Sequence, residues 1–449
     1  VDHYLSVTES QPSGDRTVNS RAIWALALPA FGALVAQPAF LLIDAAVVGT
    51  LGTIPLAAVG AASTLLAAVV GLTIFLAYAT TAAVARRLGA GDRGGALAQG
   101  VDGLALALVL GGLLGVAVAA GADVLAGVLG ASGEVAELAS TYLRITAVAM
   151  PALLGVLAGV GVLRGLQDTR TTLVVTLIQV AVNTVLVLVF VLGLDWGVAG
   201  SAWAIVAAEY VGLAGYVAIV GRACRVERVR MHPTLRGISS AARDGLPLFV
   251  RTIALRAVFL LAAAVAARLG DVTLAAYHVT AAIWFALALA LDAIAIAGQA
   301  LLGKVLGAGD RDAARAITAH VLRIAVLLGA GLGLAVLIAR PWLPALFTSD
   351  NAVRETIAVG LLVVALQQPL AGAVFAWDGI LIGAGDTRFL AVAQTAVLAC
   401  FAPAAFAVLW FDGGIAGLWW AVAWFLLVRA VLLGWRVRGD TWLRIGPVR

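Results

Sequence analysis

The chain repeats itself at a fixed distance. Leu88-Gly-Ala-Gly-Asp-Arg93 recurs letter for letter as Leu306-Gly-Ala-Gly-Asp-Arg311, 218 residues further on. The same offset of 218 carries Asp168-Thr-Arg170 onto Asp386-Thr-Arg388, Pro29 onto Pro247 and Pro151 onto Pro369. It also carries Leu56-Ala-Ala58 onto Leu274-Ala-Ala276. An offset that stays constant through loops and helix interiors means two copies of one folding unit, with almost no net insertion between these marks.

The medium in which the copies fold follows from their polarity. Of the 449 residues, 63% are hydrophobic and only 12% are charged. That leaves too little polar surface to cover a water-soluble globule. The apolar runs exceed the roughly 20 residues that span a bilayer core, and the ~10-residue alternating segments of an outer-membrane barrel are missing. The chain reads as a polytopic helical membrane protein, and duplicated apolar units are the architecture of a transporter whose substrate passes between them. Cys224 and Cys400 fit no metal or redox spacing and read as small apolar filler. The net charge of +5 sits in short loops between spans, so topology explains it better than nucleic acid. The polar first twenty residues, before a long apolar run and many others, do not make a cleavable signal peptide. They read as a loosely ordered cytosolic lead-in.

Polar breaks predict twelve spans, at 22–49, 56–85, 97–121, 137–162, 172–194 and 197–220, then at 245–268, 272–301, 316–338, 355–383, 389–410 and 414–434. The implied organisation is a cytosolic segment (1–20), a first lobe (21–220), a basic linker (221–244), a second lobe (245–436) and a tail (437–449). Arginines concentrate in the amino-terminal stretch, the loops after even-numbered spans and the tail, whereas the alternate loops hold only Arg268, Arg340 and Arg354. Cytoplasmic loops carry the excess of Lys and Arg, so both termini are expected inside a bacterial-type plasma membrane. Six spans per copy make both copies enter in the same direction, related by a pseudo-twofold along the membrane normal. The Gly-Ala-Gly-Asp-Arg loops then read as tight cytosolic turns. They lack the preceding strand and following Lys-Ser/Thr of a phosphate loop.

Pro29, Ile43-Asp44-Ala-Ala-Val-Val-Gly49 and Leu51-Gly52 resemble the first helix of the MATE (multidrug and toxic compound extrusion) family. So do the Leu-Gly-Ala-Gly-Asp loops and Arg164-Gly-Leu-Gln-Asp-Thr-Arg170. Leu246-Pro247…Arg251 and Leu291-Asp292…Gln299 look most like its DinF (DNA-damage-inducible) branch. The resemblance runs from about Arg21 to Arg436. It implies an antiporter that exports organic cations and other amphipathic compounds against inward proton or sodium gradients, acting as a single chain. Two six-helix lobes would form a V around a cavity opening alternately to either side. By motif match, the family's cation-coupling aspartate falls on Asp44 and its helix 1 bending proline on Pro29. Two departures stand out. Helix 5 reads Asn183-Thr-Val-Leu186-Val187 where many relatives carry Asn-x-x-Leu-Asp, and Arg251 to Ala267 lacks the helix 7 acid of other relatives.

An ionisable group within a bilayer is costly unless it faces a cavity or a partner, which makes it a functional candidate. Asp44 has Ala262 as its counterpart in the second copy, so its role is expected in one lobe alone; the plainer account is a carboxylate bonded to neighbouring amides. Asn183 and Glu209 lie mid-span in helices 5 and 6, with Gln37 and Gln179 near in depth. They read as cation-coupling and cavity residues or, alternatively, as interhelical hydrogen bonds. Asp292, unmatched in the first copy, is expected to pair with Arg251 or Arg256, as structure or as a conformational switch. Asp378 reads as an interfacial cap. Trp284 lies deep enough to stack on an aromatic or cationic substrate, with packing as the plainer account. Trp410, Trp419, Trp420 and Trp424 read as an aromatic belt at the headgroups.

The resulting expectation is alternating access. A proton or sodium ion binds Asp44 from outside, repacks the first span around Pro29 and expels an amphipathic or cationic compound, with no cofactor. One rival is a lipid or lipid-linked sugar flippase, which would need a strongly cationic central cavity. A membrane enzyme would need a catalytic cluster, and no His-Glu-x-x-His or Gly-x-Ser-x-Gly motif occurs.

Overall fold

A computed structural model describes residues 20–229 and 231–447. Apart from Ser20, the expected cytosolic lead-in lies outside the described residues, as do Arg230 of the linker and the last two residues of the tail. The described chain is helical throughout. Its first copy comprises α1 (Ser20–Gly49), α2 (Thr53–Thr73), α3 (Phe75–Gly89), α4 (Arg93–Val128), α5 (Gly133–Ala147), α6 (Met150–Gly165), α7 (Thr169–Val187) and α8 (Gly197–Val226). The second comprises α9 (Leu235–Arg268), α10 (Asp271–Gly307), α11 (Arg311–Ala339), α12 (Asn351–Leu366), α13 (Gln368–Gly383), α14 (Thr387–Trp410) and α15 (Gly414–Arg438).

Ten helical runs are long and apolar enough to cross a bilayer, and the bent pairs α5–α6 and α12–α13 bring the number to twelve. The fourth and tenth spans, expected as single helices, are thus broken, by 53° and 51° at matching places. Pro151 and Pro369 stand in the first turns of α6 and α13, where a missing N–H leaves no intrahelical bond unmade. The bulk of the basic linker is also helical, because α8 continues to Val226 and α9 begins at Leu235. Asp102 of α4 accepts the Thr234 N–H at 2.8 Å and ties the crossing to the first lobe.

The repeated loop is a helix stop followed by a helix start. Gly91 and Gly309 take φ of 78° and 82°, a left-handed conformation that glycine adopts without a Cβ penalty. Asp92 and Asp310 then accept the N–H groups of Gly95 and Ala313 and cap α4 and α11.

One irregularity separates the copies. Asp195-Trp-Gly-Val-Ala-Gly200 matches Asp412-Gly-Gly-Ile-Ala-Gly417 at an offset of 217, one less than before. The extra residue of the first copy is taken up by a π-helical turn, Leu188–Gly193, that continues α7. The matching α14 has none. Such wide turns are how a helix absorbs a single insertion, often beside functional sites.

The lobes share a core at the arginine-rich end and part at the other. There Ile23, Leu76, Leu97 and Leu154 belong to one cluster with Leu248, Leu302 and Leu306. Towards the far end, Val48, Val59, Ala62 and Val118 form a core of the first lobe alone, and Ala276, Val336, Val353 and Ile357 one of the second. The molecule is therefore a V, closed at the arginine-rich end.

Closure there is reciprocal. A Cβ on Gly89 would lie 1.8 Å from the Lys304 carbonyl oxygen, and one on Gly307 would lie 2.0 Å from that of Arg86. These are the same two positions of the repeat, exchanged, so the pseudo-twofold passes between them. Arg86 donates from Nη1 to the Ala384 carbonyl at 2.9 Å, from Nε to that of Gly446 at 3.1 Å and from Nη2 to that of Arg444 at 2.6 Å. Its counterpart Lys304 donates to Gln167 Oε1 at 3.1 Å. The segment after α15 lies across the crossing, with Trp442 and Leu443 buried and the Gly446 N–H on the Leu306 carbonyl.

Candidate cation and substrate site

The break in the fourth span and the prolines of the first leave space inside the first lobe. A cavity of about 140 Å³ is lined there by α1, α2, α3, α6, α7 and α8. Pro38, in addition to Pro29, lies inside α1, which runs unbroken through both. Proline 38 removes the N–H that would bond the carbonyl of Leu34, and Leu34 lines the cavity. Pro38 stands closer than Pro29 to Asp44, and the sequence reading passed it over.

Asp44 is buried, and Ser201 of α8 donates to its Oδ1 at 2.7 Å. Among the described residues it has no basic partner, so a carboxylate sits in the membrane region beside a neutral hydroxyl. Tyr142 of α5 is buried within electrostatic reach. Asn183 is 1% exposed, and neither atom of its amide is bonded. Val47, Val187 and Ala204, each one turn from Asp44, Asn183 and Ser201, form one apolar cluster. That cluster brings the three polar residues into the same seams. An unbonded buried amide costs about 1–3 kcal/mol, and a ligand or water in the cavity that Asn183 lines would remove that cost.

Deeper in the cavity, Gln179 Nε2 donates to Glu209 Oε2 at 3.3 Å. A methyl at Gly212 would meet the Gln179 amide carbon at 2.2 Å, so the glycine makes room for that side chain. Arg164, which follows span 4 in the Arg-Gly-Leu-Gln-Asp-Thr-Arg motif, lies at the arginine-rich end of the same space. Gln37 belongs to α1, but its side chain lies outside the described residues.

The remaining candidates fall elsewhere. Arg251 does not pair with Asp292. It donates from Nε to Asp378 Oδ1 at 3.2 Å and from Nη2 to Oδ2, while Arg429 Nη2 reaches Oδ1 at 3.0 Å. Asp378 is therefore the buried centre of an ion triad joining α9, α13 and α15, and not an interfacial cap. Asp292 Oδ2 accepts from the Tyr78 hydroxyl at 3.4 Å, across the lobe boundary. Trp284 packs among Phe259, Phe285 and Phe375 in the second lobe, away from the cavity. Trp419 leaves the expected belt: it is fully buried and donates to Thr280 Oγ1 at 2.9 Å.

Comparison with known proteins agrees with this architecture. A family model described as MatE matches residues 29–189 and 247–410, one stretch in each copy. The chain is 31% identical to Protein DETOXIFICATION 44, chloroplastic, of Arabidopsis thaliana, over 92% of this chain and 81% of that protein. It is 28% identical to DNA damage-inducible protein F of Escherichia coli (strain K12), over 95% and 94% of the two chains. A solved structure described as the outward-facing conformation of a multidrug resistance MATE family transporter of the MOP superfamily superposes with a TM-score of 0.85. It is 22% identical and covers 96% of this chain and 98% of its own. The duplicated twelve-span chain, its one-sided carboxylate and the match in both copies make it a transporter of the MATE family.

Proposed function

We propose that the protein exports amphipathic organic compounds in exchange for a proton or a sodium ion entering from the opposite side. The arginine-rich end faces the cytosol, as the charge of its loops favours. The V then opens outward, so this conformation releases substrate and receives the coupling ion. The observation that carries the reading is Asp44, a buried carboxylate with a neutral partner, in the same lobe as the unbonded amide of Asn183. An arriving proton or sodium ion neutralises Asp44 and is bound by it, with Asn183 Oδ1 and Ser201 Oγ as further oxygen donors. Occupied and empty Asp44 differ by a full charge, which is the differential interaction an ion needs to bias two states of α1. Pro29 and Pro38 are where α1 can bend, since the carbonyls they leave free are not held by its own ladder. Glu209 and Gln179 hold the substrate deeper in the cavity.

The test is transport in proteoliposomes under separate proton and sodium gradients. Wild-type protein should move a dye substrate with one gradient, and Asp44→Asn should not. Full coupled transport by a normally folded Asp44→Asn protein would falsify the role of Asp44. Dye movement independent of both gradients would sink the antiport reading itself.

A further inference from the structure

We infer that the floor of the first-lobe cavity is a recognition site for an anionic group, with Arg164 as its guanidinium. The preferred substrates of this transporter are then amphipathic compounds that carry a carboxylate. The inference rests on the exporter reading for calling the ligand a substrate, but not for the existence of the site.

Arg164 is 6% exposed and lines the cavity. Among the described residues it forms no ion pair and no hydrogen bond, and its Nε is buried without an acceptor. The other buried arginines contrast with it. Arg86 is bonded to three carbonyls, while Arg251 and Arg429 share Asp378. Asp292, Tyr78 and Tyr216 act on Arg164 electrostatically, but none lies at pairing distance. The place tolerates the charge because Arg164 is in the last turn of α6, where the helix dipole favours a cation. Nothing among the described residues uses its fork of donors. A carboxylate entering the cavity can take two parallel N–H bonds from that fork, the geometry in which guanidinium and carboxylate match best.

The rest of the cavity fits the same ligand. Thr172 and Thr176 line it on the way from Arg164 to Gln179, and Gln179 holds Glu209. Thr172 and Gln179 stand seven residues apart on α7, about 10 Å along its axis, with Arg164 and Glu209 lining the same cavity. A zwitterion fits with its ammonium towards Glu209 and its carboxylate on Arg164. In the cleft between the lobes, Arg256 lies against Gly71, where a methyl would come 1.9 Å from its Nη2. It too lacks an acidic partner among the described residues, and it adds a second positive charge on the approach.

The test uses an acid and its own ester, so that size and aromatic area stay constant. Rhodamine 110 carries a free carboxylate, and rhodamine 123 is its methyl ester. Equilibrium binding of each to the purified protein in lipid nanodiscs is read by fluorescence anisotropy. Wild type should bind the acid about tenfold more tightly than the ester, the worth of a charge-assisted hydrogen bond. Arg164→Gln should abolish that preference by weakening the acid, Arg164→Lys should keep part of it, and Arg144→Gln, in an exposed ion pair away from the cavity, should leave it intact. Equal affinity of wild type for both dyes would overturn the inference, even if Arg164→Gln does not fold. So would a preference that survives in Arg164→Gln. Gradient-driven efflux of the same dyes is measured separately. Binding preference without gradient-dependent efflux would strike the exporter reading and leave the anion site standing.

Discussion

The two lobes descend from one sequence and have been put to opposite uses. Ala33 and Val160 line the cavity of the first lobe, and Gly212 gives Gln179 its place there. At the same positions of the second copy, allowing for the one-residue shift after the π-helical turn, stand Arg251, Asp378 and Arg429. Three small or apolar residues in one lobe are thus a buried ion triad in the other. Asn183 corresponds to Phe401, and Asp44 to Ala262. Space is kept on one side; on the other, the equivalent volume is filled with charges that satisfy one another. A carboxylate inside a membrane protein is therefore not a coupling site by location alone. Asp378, held by two guanidiniums, is buried like Asp44 and its charge is already matched.

This contrast can be broken at several points. The largest effect is expected at Asp44: Asp44→Asn should reduce gradient-coupled transport to background, whereas the second-lobe equivalent, Ala262→Asp, should not restore it in the same protein. Next comes Asp378→Ala, which leaves two buried arginines unpaired and should lower stability by about 3–5 kcal/mol. Thermal unfolding in detergent measures it. Replacing Arg251, Asp378 and Arg429 together by Met, Leu and Met should cost less than the single change, and a larger cost would show that the triad does more than fill the lobe. Gly89→Ala and Gly307→Ala each force a methyl onto a backbone carbonyl across the pseudo-twofold, a strain of about 1–3 kcal/mol against closure. Hydrogen exchange at 84–89 and 302–308 should accelerate to a similar degree in both, and a clear inequality would refute the reciprocal crossing. The smallest effect is expected from Gln179→Ala, about 1 kcal/mol or less on dye binding, with stability unchanged within error.

Much of the fold was legible because it depends on local properties. Apolar runs gave the spans, the fixed offset gave the repeat, and Gly-Asp punctuation gave the turns. The bends at 148–149 and at Gln367 escaped notice because proline in a first turn leaves the apolar pattern uninterrupted. Within the candidate site, Asp44, Asn183, Gln179 and Glu209 stood out because polar groups in such spans are rare. Their partners were harder. Ser201 follows a Gly-Val-Ala-Gly turn and looks like ordinary helix-start chemistry, although its depth matches that of Asp44. Arg251 or Arg256 was the expected partner of Asp292, but which acid a side chain meets is set by the azimuths of α9, α13 and α15, and no single helix encodes that. Arg164 was hidden inside a motif read for recognition. Its significance is the absence of a partner, which only a folded chain reveals.

The segment beyond α15 carries a further consequence. Arg86 grips the carbonyls of Arg444 and Gly446 as well as that of Ala384, so the arginine-rich end cannot part until contacts outside the cavity are released. Speed and selectivity are consequently written in different places. Variants selected for faster efflux of the same compounds should accumulate around Arg86, Trp442 and Gly446, leaving the cavity unchanged, while those selected for new compounds should do the reverse.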